Sequence, residues 1–62
     1  MTQKIDLRLL SSQTVARAKV VAYYAEEALD AKNEAERVMY LRDAIEGIET
    51  LIKTKEILEG TI

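Results

Sequence analysis

The sequence contains no cysteine and no histidine. Without cysteine there are no disulfides and no thiolate metal sites. Without histidine the commonest zinc, haem and general-base ligand is missing. There is no proline, and Gly47 and Gly60 are the only glycines, so the chain has few points at which a helix must stop. The longest unbroken apolar run is the six residues Val20 to Ala25, far short of the roughly 20 a membrane span needs. The opening "MTQKID" lacks the apolar core of a secretory signal. A cytoplasmic protein with no membrane partner is the expectation. No Ser/His/Asp set, phosphate loop or dinucleotide fingerprint is present. The carboxylates from Glu26 to Glu36 are spaced for neither an EF-hand loop nor a di-iron motif. The expectation is therefore not an enzyme, with no cofactor and no metal.

What is present is small and charged. A chain of 62 residues is one domain at most, and folding hides only about 60% of the surface its unfolded form exposes. Small chains offset this with disulfides, metals or oligomers, and composition leaves only the last. Net charge is −2, which does not by itself advertise nucleic acid. Its distribution is uneven: residues 1–19 carry Lys4, Arg8, Arg17 and Lys19 against Asp6, while residues 26–36 carry five acidic groups against Lys32.

The pattern along the chain reads as a short strand and two helices within one domain spanning 1–62. In "KIDLRLL", charged and apolar residues alternate, which predicts a strand over about 4–9. Ser11 as N-cap, with Leu10 before it and Val15 at the fourth helical position, predicts a helix over about 12–31. Its apolar seam is Val15, Ala18, Ala22, Ala25, Leu29, with a second line of Val21, Tyr24, Ala28 beside it. That seam fails if extended beyond Ala31, which argues for a turn over one long helix. Asn33 can then cap a second helix over about 34–59, with Glu36 three residues on and Gly60 as a stop. This helix carries Val38, Leu41, Ile45, Ile48, Ile52 as its main seam. Tyr40, Ala44, Gly47, Leu51, Leu58 run beside it. Gly47 costs about 1 kcal/mol of helix propensity relative to alanine, which close packing against another helix offsets. Two apolar lines per helix mean two packing partners, one of them another subunit.

A lone strand must pair its backbone groups, and its cheapest partner is its own copy. The order strand–helix–helix, with "KIDLRLLSSQTV" and "NEAERVMYLRDAI", resembles the ribbon-helix-helix family of DNA-binding proteins. The resemblance implies a mostly α homodimer and a repressor-like transcriptional regulator whose antiparallel ribbon lies in the major groove of double-stranded DNA. Lys4, Asp6 and Arg8 would then face base edges, Arg8 and Lys4 toward guanine or phosphate and Asp6 toward cytosine N4. Backbone N–H groups near Ser11, Ser12 and Asn33 would hold phosphates.

Two other readings compete. One is an all-α helical-hairpin homo-oligomer acting as a protein-interaction or assembly module, with itself or another protein as partner. The other is a nucleotide sponge, in which Arg17, Lys19 and a tyrosine hold an anionic nucleotide at an oligomer interface. The helix pair is loosely similar, in apolar spacing, to small phage proteins that sequester cyclic nucleotide signals.

Overall fold

The structure, a computed structural model, describes residues 5–61. It is an antiparallel hairpin of two helices, α1 (Leu7–Leu29) and α2 (Glu34–Thr61). Among the described residues there is no strand, which corrects the ribbon-helix-helix expectation: Leu7, Arg8 and Leu9 are the first turn of α1. Lys4 lies outside the described residues.

Asp6 is the reason the helix starts early. Its backbone is extended, and its Oδ1 accepts from the backbone N–H groups of Arg8 and Leu9, both at 3.1 Å. These are the second and third N–H groups of the helix, which have no partner within it. Ile5 before the cap and Leu10 at the fourth helical position are both half-buried, the placement of a hydrophobic staple. Ser11, expected to be the cap, is instead inside the helix, where its Oγ donates to the Leu7 carbonyl at 2.7 Å.

The turn near Asn33 is present. Asn33 Oδ1 accepts from the Glu36 N–H at 2.8 Å, and Glu34 and Glu36 occupy the first turn of α2, where the helix dipole favours carboxylates. No glycine ends α1. Arg37, one turn into α2, does that work instead. Its Nε donates to the Ala28 carbonyl at 3.0 Å and its Nη2 to the Ala31 carbonyl at 3.4 Å. Its Nη1 pairs with the Glu34 carboxylate. A guanidinium at the negative end of α1 adds a charged donor to the Ala28 carbonyl, which the Asp30 N–H also reaches, and ties it to the turn at Ala31.

The two helices meet along Leu10, Val21, Tyr24 and Ala28 on one side and Arg37, Tyr40, Ala44, Gly47, Leu51, Thr54 and Leu58 on the other, all buried or half-buried. The alternating three- and four-residue steps of this line are those of a coiled coil. Val21 stands opposite Gly47, Tyr24 against Tyr40, and Leu10 beside Leu58, which sets the register. On α1 the same spacing puts Thr14 and Arg17 between Leu10 and Val21. Thr14 and Thr54 donate their hydroxyls to the carbonyls of Leu10 and Thr50, so each is satisfied by its own helix.

The seam is thin. Ala28 and Ala44 are the only buried residues described, and no large side chain is fully buried. The molecule is a rod of 50 × 17 × 14 Å with a radius of gyration of 14.8 Å, against about 11 Å for a compact domain of this length. On α2 the line that closes the hairpin includes Arg37, Ala44, Gly47 and Thr54, while the all-aliphatic line Val38, Leu41, Ile45, Ile48, Ile52 is left outside; on α1 the outer line is the one richer in alanine.

Candidate functional site

The residues proposed to touch DNA do not form one site within the chain. Asp6, Arg8, Ser11 and Ser12 lie at the open end of the hairpin and Asn33 at its turn, separated by the 23 residues of α1, about 34 Å at helical rise. The Asp6 carboxylate and the Asn33 side-chain oxygen are taken up by capping. Arg8 and Ser12 are exposed on the first turns of α1.

The surface that does come together is apolar. On α2, Val38, Leu41, Ile45, Ile48 and Ile52 are each 43–53% exposed. Each directly follows a seam residue, so the line lies about 100° around the helix from the hairpin interface. On α1 the equivalent line is Val15, Ala18, Ala22, Ala25 and Leu29, with Leu29 80% exposed. The two lines lie on the same side of the rod, since Ala25 and Leu29 share a groove with Leu41, floored by Ala28 and Arg37. The result is one continuous apolar face built by both helices. Its midpoint on α1 is Ala22 and on α2 Ile45, close to level with each other in the register set by Val21 and Gly47.

The opposite side is different. There Gln13, Ala16, Arg17 and Val20 line a groove of about 350 Å³ against Gly47. The missing side chain of Gly47 lets α1 approach, and a Cβ built there would lie 2.5 Å from Val21 Cγ2. Arg17, on the wall of this groove, has no ion pair or hydrogen bond among the described residues. Near the open end of the hairpin, Lys55 of α2 is paired with Glu59 at 3.9 Å.

The tyrosines form a chain toward the turn. Tyr23 and Tyr24 meet edge-on with centroids 5.6 Å apart, and Tyr24 and Tyr40 lie tilted at 6.4 Å. The Tyr40 hydroxyl is held above its ordinary value of 10.0, first by burial and then by the carboxylates of Glu36 and Glu27. A phenol so placed stays neutral and serves packing. Among the described residues no group of three acidic side chains could hold a metal ion, and no helix is long and apolar enough to cross a membrane.

Arg37 is the residue that sequence reasoning missed. Its partners are carbonyls of the preceding helix, so its role appears only once the turn is built. No protein-family model, no curated protein and no solved structure matches the chain.

Proposed function

We propose that this chain is a self-assembling helical hairpin, an assembly module that completes its fold by covering the apolar face with copies of itself. The observation that carries this is the aliphatic line of α2 left in solvent. Arg37, Ala44, Gly47 and Thr54 alternate with Tyr40, Leu51 and Leu58 in the internal seam, while Val38, Leu41, Ile45, Ile48 and Ile52 are all exposed. The accessible surface is 5455 Å², whereas a compact monomer of this mass exposes about 4,000 Å². The excess exceeds the roughly 800 Å² that one partner contributes to a standard interface. A chain with two buried alanines has little hydrophobic stabilisation of its own. Regulation of DNA through a paired ribbon is not carried forward, because Leu7, Arg8 and Leu9 of the expected strand are helix.

Sedimentation equilibrium with circular dichroism over a range of chain concentrations tests the proposal. The expected result is a dimer or larger species at micromolar concentration, with helicity and melting temperature rising with concentration. Ile45→Asp, which puts a carboxylate in the middle of the face, should weaken association by about 100-fold or more. A wild-type chain that is monomeric and fully helical across the range refutes the reading.

Arg17 favours one further use of the assembly. An unpaired guanidinium beside a groove of about 350 Å³ matches the smaller end of ligand sites, roughly 300–1,000 Å³, and suits an anion such as a nucleotide phosphate. A thermal-shift screen of linear and cyclic nucleotides, repeated on Arg17→Ala, supports this use if stabilisation appears and depends on Arg17. It removes the use if none appears.

A further inference from the structure

The apolar face has charged borders, and their order identifies what covers it. One helical turn beyond Val15, Ala22, Val38 and Ile45 stand Lys19, Glu26, Arg42 and Glu49 respectively. Residues four apart are neighbours on a helix surface, so these four groups edge the face on the side away from the hairpin seam. All four are exposed. None has an ion pair or hydrogen bond among the described residues, where the ion pairs are Arg37 with Glu34 and Lys55 with Glu59. Each helix thus carries a cation and an anion two turns apart on its border, and Glu56, one turn beyond Ile52, extends the border of α2. Lys19 and Glu26 straddle Ala22, and Arg42 and Glu49 straddle Ile45.

We infer that the occupant of this face is a second copy of the chain, and that the border charges are its recognition code. The inference rests on the assembly reading and adds the identity of the partner surface. Two copies related by a two-fold axis lying in the face set every helix antiparallel to the one it meets. If α1 meets α1 and α2 meets α2, Lys19 lies opposite the partner's Glu26, and Arg42 opposite the partner's Glu49. If α1 meets α2, Lys19 lies opposite the partner's Glu49, and Glu26 opposite the partner's Arg42. Both arrangements pair every border cation with an anion, and symmetry makes each contact twice. Self-complementarity under a two-fold axis is the property an isologous interface requires. A face shaped for an unrelated protein has no need of it. The apolar residues supply the attraction, and the borders select partner and register.

Charge exchange between two variants tests this. One variant is Lys19→Glu with Arg42→Glu, leaving an all-acidic border. The other is Glu26→Lys with Glu49→Lys, leaving all four of these positions basic. Each is measured alone and in equimolar mixture by sedimentation equilibrium and circular dichroism at low ionic strength, beside the wild type. Each variant alone should associate at least about tenfold more weakly than wild type, since four favourable pairs become repulsive. The mixture should return to within about threefold of wild type, with recovered helicity if the separate variants are unfolded. Variants that associate alone as tightly as wild type overturn the inference, and so does a mixture that fails to recover. A wild-type chain that stays monomeric overturns the assembly reading itself, which separates the two failures.

Discussion

Replacing Gly47 by alanine sets two known effects against each other, and the structure decides which prevails. Alanine in a helix interior is favoured over glycine by about 1 kcal/mol. If Gly47 faced open space, Gly47→Ala would stabilise by that amount. Instead, the added Cβ would lie 2.5 Å from Val21 Cγ2, a separation carbon atoms do not tolerate. Val21 cannot step aside cheaply, because a valine in a helix has one strongly preferred rotamer. The helices must part by roughly 1 Å at this level, and overpacking of this kind costs about 1–3 kcal/mol. The net expectation is a loss of about 1 kcal/mol, or about 4–8 °C in melting temperature for a chain this short. Val21→Ala removes the offending carbon, so the double variant should be more stable than the sum of the single effects by at least about 1 kcal/mol. Thermal and urea unfolding followed by circular dichroism, all at one chain concentration, measures the cycle. A stabilised Gly47→Ala with additive behaviour in the double variant would show that Val21 does not face Gly47, and the hairpin register would fall with it.

Two further predictions concern the helix start and the tyrosines. Asp6→Ala removes the cap of α1 and should cost about 1 kcal/mol, with fraying of the first turn seen as faster amide exchange at Arg8 and Leu9. Asp6→Asn keeps a side-chain acceptor and should restore most of it. The pH prediction follows from Tyr40. Its folded-state value lies above the unfolded 10.0, so above pH 10 the folded form holds the phenolic proton that the unfolded form loses. That contribution is fully present below pH 10 and is lost as pH rises through the folded value. Tyr40→Phe should flatten this part of the alkaline decline in stability relative to wild type, and an unchanged alkaline profile would exclude Tyr40 as its source.

Local signals in the sequence led to much of this fold, and the point where they failed is instructive. Asn33 with Glu36 marked the start of α2, and the loss of apolar phase after Ala31 marked the turn. The N-terminal segment was ambiguous because two caps of the same form follow one another. Ile5, Asp6 and Leu10 make one staple and cap, and Leu10, Ser11 and Val15 make another. The alternation of Lys4 to Leu9 favoured the later start and a strand before it. A strand, however, needs a ladder partner for its backbone, whereas a helix begun at Asp6 satisfies those groups within the chain. Which apolar line closes the hairpin was not legible at all. It depends on the rotation of α2 about its axis relative to α1, which Arg37 helps to set by reaching the carbonyls of Ala28 and Ala31.

That choice of line has a consequence for how the chain folds. Had Val38, Leu41, Ile45, Ile48 and Ile52 closed the hairpin, their apolar area would be out of water in the single chain. Here the small residues let the helices approach closely, as Gly47 and Val21 show, but recover little apolar area. If copies of the chain cover the outer face as proposed, the larger transfer of apolar surface from water comes with that step, and helix pairing and assembly form one equilibrium. For a dimer that folds as it associates, apparent stability falls by about 1.4 kcal/mol for each tenfold dilution. The four border charges then act at the stage that matters, because a chain that gains its stability on meeting a partner is selected by which partner it can meet.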